Sequence, residues 1–165
     1  MSRVEKIHNL PIYQKAEIIF KLVESLVASL PEDDDYIQDT KHFMIEDAMI
    51  IPVKIAGAEG GDMYSIRMQN AAIIRDYAMH LQVQVGSLRF NKNYKDLEYI
   101  KIIRKEIDEF RLLFIAWVES FDKNNAIWDD WGLFNPLGAI PPSDDEAYDD
   151  DDFNINDFFE DEEDD

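Results

Sequence analysis

The side chains best suited to catalysis in this chain are its three histidines, His8, His42 and His80. Asp76 precedes His80 by four residues, so on a helix the two side chains share one face and the carboxylate can orient the imidazole. A catalytic dyad also needs a nucleophile, and neither a Cys nor a Ser elbow accompanies this pair. A local polar pair is therefore favoured over a catalytic one.

The spacing of other residue types argues against two common kinds of site. A di-iron bundle needs a Glu-x-x-His motif on each of two helices, and His42 and His80 lack a Glu three residues before them. Gly57, Gly60 and Gly61 are not followed by the Lys-Ser or Lys-Thr of a phosphate loop, and they are typical of a helix end and a turn. Because the chain also has no Cys for a thiolate site, we expect no cofactor, no metal and no enzymatic activity.

Helical periodicity predicts the elements that position these residues. After Pro11, which suits a first helical turn, apolar residues recur at spacings of four and three until Pro31 stops the pattern. A second seam with the same spacing precedes Lys123, and mixed charges cover its other faces. The first seam consists of Ile12, Ala16, Ile19, Val23, Leu26 and Leu30, and the second of Ile100, Ile103, Ile107, Phe110, Phe114, Trp117 and Phe121.

Two further helices are predicted between these seams, at about residues 36–58 and 62–87. Pro52 lies inside the first of them, where it removes one backbone hydrogen bond, so we expect a kink. Asn91 or Asn93 offers an N-cap for the last helix, which we expect to end at about Lys123. The fold class is therefore all-α, with four helices and short connections.

The residues around Pro52 carry a resemblance to a known family. Residues 50–60, Ile-Ile-Pro-Val-Lys-Ile-Ala-Gly-Ala-Glu-Gly, resemble its Ile-Pro-x-x-Ile-Ala-Glu-Gly signature, with Gly57 and Ala58 inserted. The family is a group of bacterial four-helix bundles that includes ribosomal-RNA intervening-sequence proteins and the accessory variability determinant of diversity-generating retroelements. The order of the helices extends the resemblance over about residues 13–121.

The resemblance implies an antiparallel up-down-up-down four-helix bundle that assembles as a ring-like homo-oligomer, a pentamer in the better understood members. It also implies a non-enzymatic, partner-binding role, since the accessory protein of retroelements engages a reverse transcriptase and its RNA. One departure weakens the RNA part of this expectation. Family members often carry two Arg residues shortly before the Pro, whereas this chain has Glu46 and Asp47 there.

Charge divides the chain into a nearly balanced body and an acidic tail. All 16 Lys and Arg residues lie between Arg3 and Lys123, whereas 16 of the 36 Asp and Glu residues follow Lys123. Repulsion within the tail predicts that most of it is disordered when free. The predicted organisation is an N-terminal arm at residues 1–10, a bundle at 11–123, an aromatic and Pro-containing connecting segment at 124–143 and the acidic tail at 144–165.

Basic residues that could contact nucleic acid are diluted among acids. Phosphate binding needs clustered cations, so an ordinary solvated surface is favoured over RNA contact. The candidates for such contact are Arg89, Lys92 and Lys95 around a turn and Lys101, Arg104 and Lys105 on the last helix.

Aromatic residues after the last helix are the candidates for binding a protein partner. Trp128, Trp131 and Phe134 show no helical repeat, so we expect them to bury against the bundle or against another chain. Aromatic residues also interrupt the acidic tail, a pattern that suits binding to a basic groove with apolar pockets, with solubilisation as an equal alternative. The tail residues concerned are Tyr148, Phe153, Phe158 and Phe159.

We therefore expect a non-enzymatic, homo-oligomeric helical adaptor whose acidic aromatic tail binds a basic protein, including one associated with nucleic acid. Two alternatives stay open: an RNA-binding accessory protein of a reverse transcriptase with an autoinhibitory tail, and a structural component of a larger assembly. The absence of Cys, of an apolar leader and of a membrane-length apolar stretch favours a cytoplasmic protein without membrane contact.

Overall fold

The structure, a computed structural model, describes residues 2–32 and 35–143. Within these ranges the chain is all-helical and contains no strand, which confirms the all-α part of the predicted fold class. A short helix, α1 (Arg3–His8), precedes four long helices, and a 3₁₀ turn (Leu88–Phe90) separates the last two. The long helices are α2 (Pro11–Ser29), α3 (Asp35–Ala58), α4 (Tyr64–Ser87) and α5 (Leu97–Glu119).

The core lies between the four long helices, where α2 contacts α3 and α5, and α4 also contacts α3 and α5. Both predicted seams face this core, because a spacing of three and four residues keeps side chains on one side of a helix. Every residue of the two seams is buried except Phe114, which is half-buried. Burial of each large aliphatic side chain stabilises the fold by about 2 kcal/mol, so the seams account for much of the packing energy.

Both ends of α5 differ from the prediction. Its N-cap is Asp96, whose carboxylate accepts a hydrogen bond from the Tyr99 amide at 3.2 Å. The expectation of Asn91 or Asn93 was wrong, since Asn91 instead follows the 3₁₀ turn and its side chain accepts from the Asn93 amide at 2.8 Å. Sequence preference alone could not choose among three neighbouring residues of similar capping ability.

The C-terminal end of α5 comes four residues earlier than expected, at Glu119 rather than Lys123. The Ser120 amide donates to the Trp117 carbonyl at 3.1 Å, and the Phe121 amide donates to the Val118 carbonyl at 3.2 Å. These bonds to carbonyls three residues back tighten the chain and end the helix, although Phe121 remains buried on the same seam.

The predicted N-terminal arm contains the helix α1. Ser2 and Glu5 form a capping box, in which the Ser2 hydroxyl accepts from the Glu5 amide at 3.2 Å and Glu5 accepts from the Ser2 amide at 2.6 Å. The Arg3 guanidinium donates to the Glu59 carbonyl at 3.0 Å, just after the end of α3. The arm is therefore attached to the folded helices.

A cluster of four side chains, the Glu59 hub, joins the end of α3 to α4 and α5. Glu59 Oε1 accepts a hydrogen bond from Trp117 Nε1 at 2.7 Å and also pairs with the Arg67 guanidinium. The same guanidinium lies 4.2 Å from the centre of the Phe121 ring. The Arg67 side chain is only 12% exposed and that of Glu59 22%, so these charged contacts are poorly screened by solvent and are stronger than a surface ion pair.

We expect the Glu59→Ala variant to lose about 2 to 4 kcal/mol of unfolding free energy, because the mostly buried Arg67 guanidinium and Trp117 indole would each lose an acceptor. Chemical denaturation monitored by circular dichroism measures this loss. Glu119→Ala, which removes an exposed Glu from α5, is the matched control and should change the free energy little. Equal losses in the two variants would contradict the role of the hub.

Candidate functional site

The predicted partner-binding aromatic residues of the connecting segment lie beside the beginning of α4. Trp128 and Phe134 are half-buried, whereas Trp131 is 95% exposed. Within this chain, Trp128 and Phe134 are therefore partly buried and Trp131 is not, and burial of Trp131 against another chain stays a prediction. The tail candidates Tyr148, Phe153, Phe158 and Phe159, like the whole tail at 144–165 and its expected disorder, lie outside the described residues.

Asp129 organises the loop that carries Trp131. Its carboxylate accepts backbone hydrogen bonds from Trp131 at 3.0 Å, Leu133 at 2.9 Å and Phe134 at 3.0 Å. These bonds satisfy three backbone donors that would otherwise need water. The hydrogen bonds from Phe134, Trp131 and Leu133 also lower the pKa of the Asp129 carboxyl below its ordinary value, because they stabilise the ionised form.

Further hydrogen bonds close the same loop. The Asp129 amide donates to Asn135 Oδ1 at 2.8 Å, and Asn135 Nδ2 donates to the Asp129 carbonyl at 2.9 Å. Between these two residues, Gly132 has a φ of 70°, a left-handed conformation that costs glycine little and most other residues more. The loop thus has a defined backbone even though its central Trp side chain projects into solvent.

The segment that carries the loop is connected to the bundle at the beginning of α4. The Tyr64 amide, at the beginning of α4, donates to the Asn125 carbonyl at 2.8 Å. Ala126 packs against the core, and Pro136 is buried. A polar backbone contact and an apolar contact therefore hold the segment against the bundle before Trp131.

Exposed apolar side chains on this segment form what we term the loop surface, defined as Ile127, Trp131, Leu133, Leu137 and Ile140. Their exposed fractions range from 56% for Ile127 to 101% for Leu137. Ile127, Trp131 and Leu133 line a cleft of about 430 Å³ together with Ile66 of α4. Several large apolar side chains exposed near one another are typical of a surface that contacts another molecule.

The six basic candidates for nucleic-acid contact lie at the opposite end of α5 and the turn before it. Lys101 and Lys105 are ion-paired on their own helix, with Glu98 at 2.6 Å and Glu109 at 3.7 Å. The Arg89 guanidinium lies 4.8 Å from the centre of the neighbouring Phe90 ring. Lys92 and Lys95 are exposed, and Arg104 contacts α4, where a Cβ added to Gly86 would lie 2.5 Å from its Nη1. RNA contact by these residues stays a prediction.

The structure places His80 beside a carboxylate that sequence reasoning missed. His80 Nδ1 lies 2.9 Å from Asp47 Oδ2 of α3, and the Asp47 side chain is only 4% exposed. Burial raises the pKa of the Asp47 carboxyl by more than the pairing with His80 lowers it. Asp76, the residue expected to pair with His80, instead contacts Arg75 at 3.1 Å. Asp47, Asp76 and His80 all line a second cleft, which has a volume of about 340 Å³.

This cleft offers an imidazole, carboxylates and a phenol, but no Ser, Thr, Cys or Lys side chain for the imidazole to activate. Its lining residues are Phe43, Glu46, Asp47, Asp76, Tyr77 and His80. Over residues 2–32 and 35–143, no group of three or more His, Cys, Asp or Glu side chains is placed to hold a metal ion. What the structure shows is a contact between His80 of α4 and Asp47 of α3.

Comparison with known proteins does not place the chain in a family. No family model, no curated protein and no solved structure matches it. The resemblance of residues 50–60 to the bacterial four-helix bundle family therefore stays a prediction from the sequence. None of the helices in the described ranges is long and apolar enough to cross a membrane.

We expect the loop around Asp129 to loosen at acid pH. Its folded-state pKa lies below the ordinary value of 3.8, so its stabilising contribution is present above the unfolded pKa and is lost as pH falls through the folded pKa. The amide NMR signals of Trp131, Leu133 and Phe134 should then shift together, with a common midpoint below 3.8.

The Asp129→Asn variant should show the loosened state already at neutral pH, because its amide NH₂ group would face backbone donors. Asp130→Asn is the matched control, since none of the hydrogen bonds that fix the loop involves the Asp130 side chain. Independent midpoints for the three amides, or equal effects of the two variants, would contradict the proposed role of Asp129.

Proposed function

We propose that this protein is a non-enzymatic helical adaptor that binds a basic protein partner through the loop surface and the acidic tail that follows it. The observation that supports this best is the 95% exposure of Trp131 on a backbone that Asp129 holds in place. An unused Trp side chain would normally bury, because its transfer from water is favourable by several kcal/mol at full burial.

A fixed loop is a favourable platform for protein binding. Association costs free energy when side chains and loops must become ordered, and the hydrogen bonds of Asp129 and Asn135 order this loop in advance. Trp is also among the residues that contribute most to binding energy at protein interfaces. Trp131 is therefore the proposed anchor, with Leu133 and Leu137 as neighbouring apolar contacts and the half-buried Trp128 and Phe134 supporting the loop.

Charge supports a basic partner rather than an acidic one. No Lys or Arg follows Lys123, and the tail begins only a few residues after Ile140. A basic protein would be attracted by this negative field and would then meet the apolar loop surface. The tail residues Tyr148, Phe153, Phe158 and Phe159 remain part of the proposed binding region.

The proposed scaffold is an antiparallel up-down-up-down bundle. Tyr64 at the beginning of α4 bonds to Asn125 beyond the end of α5, whereas Gly86 at the other end of α4 lies beside Arg104 in the first half of α5. These two contacts support opposite directions for α4 and α5. A ring-like homo-oligomer, a pentamer by family resemblance, would repeat the loop surface in each subunit and so raise avidity.

The experiment that tests this function is selection of a random peptide library against the purified full-length protein. We expect the selected peptides to be rich in Lys and Arg and to contain apolar residues. The Trp131→Ala variant should raise their Kd about thirtyfold, since loss of a central Trp costs about 2 kcal/mol. Deletion of residues 144–165 should weaken binding chiefly at low salt.

Leu112→Ala is the matched control, because Leu112 is also an exposed apolar residue but lies on α5, outside the loop surface. It should leave the Kd of the selected peptides unchanged. Selection of acidic or uncharged peptides would count against a basic partner. Equal Kd values for Trp131→Ala and Leu112→Ala would remove the loop surface from the binding site.

A further inference from the structure

A second apolar surface, distinct from the loop surface, lies between α4 and α5. This α4/α5 groove has a volume of about 230 Å³ and is lined by Met79 of α4 and by Phe114 and Ile115 of α5, among others. Met79 and Ile115 remain 51% and 44% exposed, although the floor includes the fully packed Phe110. Apolar side chains in a recess of this kind can accept the apolar side chains of a peptide.

Cationic side chains also line the α4/α5 groove. Arg75 and Arg111 both contribute to it and both are exposed. Arg75 contacts the neighbouring Asp76 at 3.1 Å, a surface pair of small energetic value. In the described part of the chain, Arg111 forms no ion pair. The groove thus suits a ligand that is both apolar and acidic.

The C-terminal tail contains a segment with this chemistry. Ile155, Phe158 and Phe159 are spaced so that a helical peptide would present them on one face, the pattern by which peptides fill apolar grooves. Acidic residues, including Asp157 and Glu160, flank them, and the tail has no Lys or Arg that would repel Arg75 and Arg111. The acidic charge of this segment therefore complements the arginines of the α4/α5 groove, and its apolar side chains complement the apolar lining.

The connection between the described part of the chain and this segment is long enough for the segment to reach the α4/α5 groove. Phe134 and Ile66 line the same cleft at the beginning of α4, and Met79 lies about 20 Å further along that helix. About twenty residues separate Phe134 from Ile155, and a chain of that length can extend to about 70 Å. Tethering gives such a segment an effective concentration of about millimolar, so even weak contacts would be occupied.

We propose that residues 153–159 dock in the α4/α5 groove of the same molecule, with their apolar side chains against Met79, Phe114 and Ile115 and their acids near Arg75 and Arg111. The groove is then an intramolecular binding site for the tail, and release of the segment exposes the tail to other proteins. Because the groove and the loop surface are different surfaces, this docking can be tested without any partner.

A single spin label can test the docking, since the chain contains no Cys. In an Asn156→Cys variant carrying a nitroxide, we expect the amide NMR signals around Met79 and Ile115 to lose intensity, while those of α2 keep theirs. Adding Phe158→Ser and Phe159→Ser to the labelled variant should restore the lost signals. Absence of any localised loss, or a loss that the two Ser substitutions do not change, would overturn the proposal.

Separate controls test the charge contact with Arg111 and whether the tail docks in its own molecule. Arg111→Glu should reduce the signal loss, whereas Lys101→Glu, an equal charge change on the same helix but outside the groove, should not. Equal effects would remove the charge argument and overturn the proposed contact with Arg111.

A mixture of unlabelled, ¹⁵N-enriched protein with spin-labelled, unenriched protein should show no loss. A loss in that mixture would assign the groove to a second copy's tail and overturn docking within one molecule.

Discussion

The placement of the loop surface depends on one partly buried carboxylate, that of Glu59. This carboxylate accepts a hydrogen bond from Trp117 of α5 and pairs with Arg67 of α4, while the backbone carbonyl of Glu59 accepts a hydrogen bond from Arg3 of α1. Three elements are thus fixed to the residue that follows α3. Such charged hydrogen bonds are directional and poorly screened where solvent access is low, so they define the geometry of this end of the molecule more narrowly than apolar packing alone.

The loop surface follows from that arrangement. Phe121 stacks against Arg67 within the Glu59 hub, and the chain reaches Asn125 only a few residues later, where it accepts a hydrogen bond from Tyr64. The Asp129 carboxylate then accepts hydrogen bonds from the backbone amides that follow it in the loop. Each step limits the conformations open to the next one, which is how an exposed Trp can be held on a chain without regular secondary structure.

Local patterns predicted the helices well because they depend on nearest neighbours along the chain. The seams from Ile12 to Leu30 and from Ile100 to Phe121 are buried as expected, with Phe114 half-buried, since the period alone decides which face is apolar. The caps of α5 were less predictable, because Asn91, Asn93 and Asp96 have similar local preferences. Phe114 is exposed in part because it lines the α4/α5 groove.

The candidate sites depend on contacts that sequence spacing does not encode. His80 and Asp47 are far apart in the sequence and meet only because α3 packs on α4. The aromatic residues of the connecting segment were identified from their position after the last helix and their lack of a helical repeat, but which of them stays exposed depends on the hydrogen bonds of Asp129. A sequence signal for that loop was present, since Asp129, Gly132 and Asn135 are all turn-forming types.

The most direct test of a rigid, exposed loop is ¹⁵N relaxation of the Trp131 and Leu133 backbone amides in the full-length protein at neutral pH. If Asp129 and the Glu59 hub hold the loop as described, the order parameters of these amides will be about 0.85, close to those of the α4 and α5 helices. Order parameters below about 0.6 at both residues would show a flexible segment and would contradict the account.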